Sequence, residues 1–236
     1  MEIRDFEIKE ITELTKGNSD SHPIYSFKLN PISGPNYKFK PGQFITIFSE
    51  DGKLFRSYSI ASAPEWDFIE LFIEMIKGKM TSYLSNKRVG DVLRIGEPRG
   101  NFLLEEKTKS VYLAAGVGIA PFFSILRHSI INNVSIDSYL FYSVKHMDDI
   151  ILLNELESFE RIGLRILINI TRDQNIPEHF FQGRINTEKI KRHVPDYMER
   201  KYYICGGLTF AKDLKTSLMN EGITEDKILS DIWGEN

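Results

Sequence analysis

The segment Ala114-Ala-Gly-Val-Gly-Ile-Ala-Pro121 decides how the second half of this chain folds. It ends the apolar run that starts at Val111 and precedes apolar residues at helical spacing up to about Ile131, which predicts a strand, a tight turn and a helix. Two glycines one residue apart allow backbone amides to approach a pyrophosphate at the start of a helix. Pro121 stands near that start, where its missing N–H costs nothing. An ordinary strand-to-helix turn explains the same glycines.

The rest of the second half alternates apolar strands with helical patterns. Strands are predicted over residues 111–115, 138–144, 164–170, 202–205 and 228–233, and further helices over 150–161 and 209–220. This alternation predicts a doubly wound parallel sheet spanning residues 106–236. A second glycine pair, Cys205-Gly-Gly207, ends one strand, and ligands of such sheets bind outside the carboxyl ends of strands. We therefore expect the two glycine segments to line one crevice, although Cys205 by itself is also explained as a small buried residue.

The first half has a different periodicity. From Phe6 to about Leu104 the apolar residues mostly alternate, as in Phe44-Ile-Thr-Ile-Phe48, and turn residues separate the runs. Roughly six short antiparallel strands follow from this pattern, and they predict a small barrel over residues 1–105. The charged stretch Glu105-Glu-Lys-Thr-Lys109 marks the boundary between the two domains.

Two segments of the barrel half carry candidate site residues. In Arg56-Ser-Tyr-Ser59 the guanidinium could bind a phosphate, the Tyr58 ring could lie against a flat ligand, and the Ser59 hydroxyl could bond a ring nitrogen. An edge strand with a solvated arginine explains the same residues. In Lys77-Gly-Lys-Met-Thr-Ser-Tyr-Leu84 a glycine turn opens a short helix, whose Thr81 and Ser82 amides could hold a second phosphate. A plain capped helix explains that stretch as well.

Composition narrows the function classes. The 30 basic and 33 acidic residues give a net charge of -3 and neither half is basic, which argues against nucleic acid as a partner. Cys205 is the one cysteine, so the chain has neither an internal disulfide nor the thiolates of an iron–sulfur cluster, and redox chemistry would need a bound cofactor. The five histidines lack metal-ligand spacing, so no metal site is expected. No leader and no apolar run of membrane-spanning length is apparent, which predicts a cytoplasmic protein without a membrane span.

Taken in order, seven motifs resemble the ferredoxin–NADP⁺ reductase superfamily of flavoproteins, in which a flavin-binding antiparallel barrel precedes a nicotinamide-nucleotide domain. The similarity covers nearly the whole chain. The motifs are Lys40-Pro-Gly-Gln-Phe44, Arg56-Ser-Tyr-Ser59, residues 78–84, Gly96-Glu-Pro-Arg-Gly-Asn-Phe102, residues 116–121, Cys205-Gly-Gly207 and Asp231-Ile-Trp-Gly234. One departure is Gly207, where members of the family more often carry proline.

The resemblance implies roles for individual residues. Those that would contact the flavin and its phosphates are Arg56, Ser57, Tyr58, Ser59, Lys79, Met80, Thr81 and Ser82. Those that would contact the nicotinamide nucleotide are Gly116, Gly118, Pro121, Thr171, Gly206 and Gly207. A catalytic role would fall to Tyr58 against the flavin, Ser59 near flavin N5 and Cys205 beside the nicotinamide, with Trp233 near the flavin face and Asp231 where a glutamate is frequent.

The resemblance also favours particular cofactors. FAD is expected over FMN because most of the family binds FAD, and Trp66 or Phe68 could stack on the adenine. NADPH is slightly favoured over NADH because Lys145 and Arg172, after the second and third strands of the sheet, could bind a 2′-phosphate. Ordinary surface charges are an equal explanation of both side chains.

The expected activity is hydride transfer between NAD(P)H and FAD, followed by single-electron transfer to or from a separate acceptor such as ferredoxin or flavodoxin. A monomer or small homo-oligomer fits this role. One alternative is an electron-transfer subunit of a larger oxygenase or dehydrogenase complex. A more remote alternative is a noncatalytic nucleotide-binding module that keeps the fold without the chemistry.

Overall fold

The computed structural model describes residues 2–104 and 108–233. The chain forms two compact units, of which the first comprises the residues up to Leu103 together with Ala120–Ile131. The second comprises Leu104–Ile119 and the chain from Asn132 onward. Within the described ranges, no helix has both the length and the apolar character needed to cross a bilayer.

The first unit contains a barrel. Its six strands are β1 (Ile3–Thr15), β2 (Ile24–Pro31), β3 (Phe44–Phe48), β4 (Phe55–Ser59), β5 (Ile69–Glu74) and β6 (Val92–Gly96), all paired antiparallel in the order β4-β3-β6-β1-β2-β5. A bridge between Ile60 and Leu71 and a 2.8 Å hydrogen bond from the Ala61 amide to the Glu70 carbonyl join the chain beyond β4 to β5. The sheet thus closes on itself, and the predicted six-stranded antiparallel barrel is confirmed.

Alternation along the strands places one set of side chains in the barrel interior. In β3, for example, Ile45 and Ile47 are fully buried while Phe44, Thr46 and Phe48 are partly exposed. The alternation of apolar residues in the sequence therefore indicates which face of each strand points into the barrel. The same core includes Phe6, Ile8, Leu29, Ile69, Leu71, Leu93 and Ile95.

Two helices also belong to the first unit. The short helix α1 spans Lys79–Leu84, and the longer helix α2 spans Ala120–Ile131. Residues 120–127 are all buried, and the rings of Phe122 and Phe123 pack edge-on against Phe102 and Phe72, with centroid distances of 5.6 and 5.3 Å. Helix α2 therefore packs with the barrel, although it follows the first strand of the parallel sheet in the chain. The predicted domain boundary between residues 105 and 106 stays a prediction, and residues 105–107 lie outside the described ranges.

The second unit is a six-stranded sheet in which every pairing is parallel. Its order is β10-β9-β8-β7-β11-β12, and its helices confirm the predicted doubly wound arrangement. The strands are β7 (Ser110–Ala115), β8 (Ser138–Val144), β9 (Leu164–Ile170), β10 (Phe181–Gln182), β11 (Lys201–Gly207) and β12 (Ile228–Trp233), and the helices are α3 (Leu153–Ser158), α4 (Thr187–His193) and α5 (Leu208–Asn220).

Some elements of this unit differ from the sequence prediction. The two-residue strand β10 and helix α4 were not predicted. Helix α3 is shorter than the predicted 150–161, because Leu152 before it adopts a left-handed conformation with φ 47°. After α3 the chain tightens into a 3₁₀ turn over Phe159–Ile162.

A buried arginine ties together the turns at the amino ends of the parallel strands. Arg200 is 3% exposed, and its guanidinium lies 2.6 Å from a carboxylate oxygen of Asp196 and 3.0 Å from one of Asp137. It also stacks 4.8 Å from the ring centroid of Tyr139. The hydrogen bonds from Arg200, supported by Lys109, lower the pKa of Asp196 to about 2.

We predict that Asp196→Asn lowers the free energy of unfolding at neutral pH by about 2 kcal/mol, because the charged carboxylate stabilises the folded state. A pKa lowered on folding adds stability above the unfolded value of 3.8, and this stability is lost as the pH falls towards about 2. Urea unfolding of both proteins from pH 7 to 2 checks this. The difference between them should shrink below pH 4, and a difference that does not change with pH would contradict the assignment.

Candidate cofactor sites

The first candidate site lies on β4, at the end of the strand order in the barrel. Its first three residues are exposed, so the regular alternation of buried and exposed side chains stops here. Arg56 and Tyr58 share one face of the strand because they are two residues apart. The Ser57 hydroxyl lies 3.0 Å from that of Thr46 on β3. Strand β4 therefore presents a guanidinium and a phenol on one face and the hydroxyls of Ser57 and Thr46 on the other, and all of these groups can bind phosphate or sugar oxygens.

Tyr58 is the site residue of β4 that reaches the barrel core. Its ring packs at the edge of the core cluster, and the side chain is partly buried. Burial raises the pKa of Tyr58 to about 12, against a smaller opposing effect of the Arg56 charge. The phenol therefore stays neutral at physiological pH and offers a flat face and a hydroxyl donor.

The second candidate segment is the turn that opens α1. The Thr81 hydroxyl is buried in this turn, where it donates to the Ile76 carbonyl and accepts a 3.2 Å hydrogen bond from the Gly78 amide. The Ser82 amide bonds the Gly78 carbonyl at 2.9 Å, and the phosphate-binding role predicted for Ser82 stays a prediction. Amides with no partner within a helix are those of its first turn, which begins with Lys79 and Met80. The Met80 side chain belongs to the barrel core, so only its backbone remains for a ligand.

The parallel sheet reverses its strand order between β7 and β11, and both predicted glycine segments lie there. A Cβ atom on Gly118 would come within 2.4 Å of the Cys205 carbonyl oxygen, so the two segments are in direct contact. Gly116 has φ +53° and open space where a side chain would start. The expectation that both segments lie at one sheet edge is met. Gly118 allows the two backbones to approach closely because it has no side chain, and Gly116 allows the left-handed conformation of the turn.

Other predicted site residues lie on β11 and β12, and Pro121 lies on α2. Cys205 is fully buried and is level with Ala114 on one side and Asp231 on the other. Gly206 is packed so closely that a Cβ atom there would meet the Phe210 ring at 2.7 Å. Gly207 precedes α5 and pairs with Trp233, whose side chain lies outside the described part of the chain. Pro121 is the second residue of α2, as predicted.

Two loops of the parallel sheet are joined by hydrogen bonds. The loop after β8 contains Lys145, and the loop after β9 contains Thr171 and Arg172. The Thr171 hydroxyl donates to the Val144 carbonyl at 3.1 Å, and the Arg172 amide donates to the Lys145 carbonyl at 2.9 Å. The Lys145 and Arg172 side chains are exposed beside this junction. The structure therefore brings these three residues together, as their proposed role requires.

Sequence reasoning missed three residues at the same junction. The Asp173 carboxylate accepts a 2.8 Å hydrogen bond from the Met147 amide and lies 2.6 Å from Nδ1 of His146. The carboxylate of Asp149, which is buried, accepts from the His146 amide at 3.1 Å. The adjacent Arg172-Asp173 pair in the sequence is the signal that could have pointed to an acidic group here.

These donor sets fit the two cofactors that the resemblance implies. The exposed guanidinium, hydroxyls and neutral phenol of β4 suit the phosphate, ribityl chain and ring of a flavin. The glycine turn before α2 suits a pyrophosphate, because Gly116 leaves open space where a side chain would start and the turn leads into a helix N-terminus. For a metal ion the described residues offer no cluster of three His, Cys, Asp or Glu side chains, so the donor sets give no ground for one.

Comparisons with known proteins agree with this assignment. Residues 9–103 match the family model "Oxidoreductase FAD-binding domain", and residues 112–216 match "Oxidoreductase NAD-binding domain". A glycine betaine monooxygenase reductase subunit of Chromohalobacter salexigens is 32% identical over 195 residues, which are 78% of this chain and 53% of that protein. The chain spans about half the length of the first such relatives.

Solved structures show the same fold. The flavohem-like FAD/NAD-binding domain of nitric oxide dioxygenase from Vibrio cholerae has a TM-score of 0.84 at 22% identity, over 98% of this chain and 99% of that one. A ferredoxin NADP⁺ reductase from Neisseria gonorrhoeae with bound FAD and NADP has a TM-score of 0.81 at 23% identity, with the same coverage.

The fold and the two donor sets thus define a flavin- and nicotinamide-nucleotide-binding oxidoreductase, with one domain for each cofactor. Within that class, the chain belongs to the ferredoxin–NADP⁺ reductase-like superfamily of flavoproteins.

The contact at Gly118 yields a matched test. Gly118→Ala should lower the free energy of unfolding by about 3 kcal/mol, because the new methyl group overlaps backbone atoms that cannot rotate away. Gly116→Ala is the control, and it should cost about 1 kcal/mol for its left-handed conformation alone. Chemical unfolding of both variants measures the difference. A Gly118→Ala protein as stable as the Gly116→Ala protein would show that the two glycine segments are not in contact.

Proposed function

We propose that this chain is a reductase that moves a hydride between NAD(P)H and FAD and then exchanges single electrons with a separate redox protein such as ferredoxin or flavodoxin. Bound FAD would supply the conversion between two-electron and one-electron chemistry. The observation that carries this proposal is the pairing of two donor sets in one chain, the exposed polar strand β4 and the contact of Gly118 with Cys205. FAD and NADPH are the preferred members of their cofactor classes.

The barrel residues would bind and orient the flavin. Arg56 forms no ion pair within residues 2–104 and 108–233, which suits a phosphate partner. Neutral Tyr58 would lie against the ring and ribityl chain, and Ser59 at the end of β4 would bond flavin N5. Lys79, Met80, Thr81 and Ser82 would form the phosphate turn, in which the Thr81 hydroxyl holds the turn and the backbone meets the ligand.

The sheet residues would bind and orient the nucleotide. Gly116, Gly118 and Pro121 would border the pyrophosphate at the start of α2. Cys205 is fixed by its strand pairing, so its thiol would limit where the nicotinamide lies. Gly206 and Gly207 would border the same ring, and Asp231 and Trp233 would complete the site from β12.

Ser59→Ala and Cys205→Ala should each slow reduction of the bound flavin by about tenfold, as expected when one aligning contact is lost. Both variants should keep the flavin, because neither residue holds its phosphates. Anaerobic stopped-flow mixing with NAD(P)H measures the rate. Ser158→Ala is the control, since within residues 2–104 and 108–233 that exposed hydroxyl bonds only the Glu155 carbonyl of α3. Rates equal to that of the wild-type protein in both variants would overturn these two roles.

The preference for NADPH rests on Lys145 and Arg172. If they bind the 2′-phosphate, NADPH should have a lower dissociation constant than NADH. Arg172→Ala should then reduce the ratio of the NADH constant to the NADPH constant by about tenfold. The matched variant Asp173→Asn removes a negative charge beside the same site and should favour NADPH further. Nucleotide titrations of the three proteins give the constants. A wild-type protein that binds both nucleotides equally would contradict the preference.

A second candidate function is that of a reductase subunit within a larger oxygenase complex. It is favoured by the similarity to reductase subunits of glycine betaine monooxygenase, which are longer than this chain. The electrons gained by the same hydride transfer would then pass to another subunit of that complex. Size exclusion of the native protein separates the two, because a stand-alone reductase would elute as a monomer or small homo-oligomer.

A further inference from the structure

Helix α2 carries a row of three polar side chains among mainly apolar residues. Ser124, Arg127 and His128 are spaced at i, i+3 and i+4, which places them on one face of the helix. Ser124 is fully buried and Arg127 is 6% exposed. Buried polar side chains need hydrogen-bond partners. The face of α2 that carries them must therefore pack against groups that can supply those hydrogen bonds. We call these three residues the polar stripe.

The polar stripe bonds the backbone that follows β4. The Ser124 hydroxyl donates a 2.7 Å hydrogen bond to the Ser62 carbonyl. The Arg127 guanidinium donates a 2.9 Å hydrogen bond to the carbonyl of Ala61, the residue before Ser62. These two carbonyls come directly after Ile60, and therefore only two and three residues after Ser59.

Arg127 is itself held by further groups of the barrel unit. Its guanidinium lies 2.5 Å from a carboxylate oxygen of Glu70 on β5, and both side chains are 6% exposed. The other Glu70 oxygen accepts a hydrogen bond from the Ser26 hydroxyl. The Trp66 ring faces the guanidinium, with its centroid 4.8 Å away. With these partners, Arg127 has few orientations other than the one that reaches Ala61.

His128 extends the contact to the outer end of the same segment. Its Nδ1 lies 2.6 Å from a carboxylate oxygen of Glu65, and both side chains are about one-third exposed. Segment 61–66 is thus held by α2 at its beginning and at its end. On its other side it is held by β5, because the Glu70 amide donates to the Ser62 hydroxyl at 3.0 Å.

The same helix begins where the glycine turn ends. The 3₁₀ turn over Gly116–Ile119 runs into Ala120, the first residue of α2, without a linker. The segment that would bind the nucleotide and the strand that would bind the flavin are therefore connected through one helix. One connection is the peptide bond between Ile119 and Ala120, and the other is the polar stripe.

We propose that the polar stripe positions the flavin-binding strand for hydride transfer, with Ser124 and Arg127 as positioning residues. This inference rests on the proposed function and extends it to residues that touch neither cofactor. The stripe would hold the chain just beyond Ser59, and so the flavin N5 contact, at a fixed place relative to the start of α2. Loss of one of its bonds would leave both cofactors bound and impair their alignment.

The decisive comparison is Ser124→Ala against Ser129→Ala. Both serines are buried on α2, but among the described residues the Ser129 hydroxyl bonds only the Ile125 carbonyl within the helix. Under anaerobic stopped-flow with saturating NADPH, Ser124→Ala should reduce its flavin about tenfold more slowly than the wild-type protein, as expected for one lost aligning contact. Its dissociation constants for flavin and nucleotide should change less than about twofold, and the charge-transfer absorbance of the complex should weaken. Ser129→Ala should match the wild-type protein in all three.

Two further variants keep the test independent of stability. Ser124→Thr retains the hydroxyl and should restore the rate. The double variant Arg127→Met with Glu70→Gln removes both charges at once, so no unpaired ion is left buried. It should keep its flavin and reduce it at least as slowly as Ser124→Ala. If this double variant does not fold, the two serine variants and the threonine variant decide the matter.

The outcomes separate the two proposals. A wild-type protein that is reduced by NAD(P)H, with Ser124→Ala reduced equally fast and with the same absorbance, overturns the role of the polar stripe alone. Equal slowing in Ser124→Ala and Ser129→Ala also overturns it, because general loosening of α2 would explain that result. A wild-type protein that binds flavin and is reduced by neither nucleotide overturns the proposed function, and this inference with it.

Discussion

The ion pair between Arg127 and Glu70 is the interaction on which the packing of the first unit depends. Both side chains are 6% exposed, and taking two charges out of water is costly unless every polar group finds a partner. Here the Ser26 hydroxyl, the Ala61 carbonyl and the Trp66 ring supply those partners. Such a pair adds little net stability, but its partners Ala61 and Glu70 constrain how α2 packs on the barrel. It therefore specifies the geometry of segment 61–66, and through it the end of the strand that would hold the flavin.

Most of the fold could be predicted from periodicity, and the exceptions have physical reasons. The barrel strands alternate because each has one buried face, so their number and pairing sense followed from the pattern. Strand β10 has two residues, and α4 contributes Ile190 as its one buried residue, so neither has enough apolar residues to produce a period. The packing of α2 on the barrel depends on hydrogen bonds to residues more than 50 positions away in sequence. A local sequence pattern cannot predict such contacts.

The candidate sites were predictable where backbone geometry demands a residue type. Gly118 could be found because a close approach of two backbones excludes a side chain, and the contact with Cys205 accounts for it. The amide of Ser82 and the carboxylate of Asp173 could not be assigned in the same way, because their availability depends on hydrogen bonds made in the folded chain. Single residues at strand ends therefore predict where a ligand would bind, while the hydrogen bonds of their neighbours determine which groups are available to it.

The central claim is that one chain binds FAD on its barrel and is reduced there by a nicotinamide nucleotide. The most direct test is to purify the protein, release and identify any bound flavin by chromatography, and titrate the intact protein anaerobically with NADPH and with NADH. The account predicts one FAD for each chain and loss of the oxidised flavin absorbance on addition of at least one nucleotide. A colourless protein that takes up no flavin, or a flavin whose absorbance neither nucleotide changes, would contradict it.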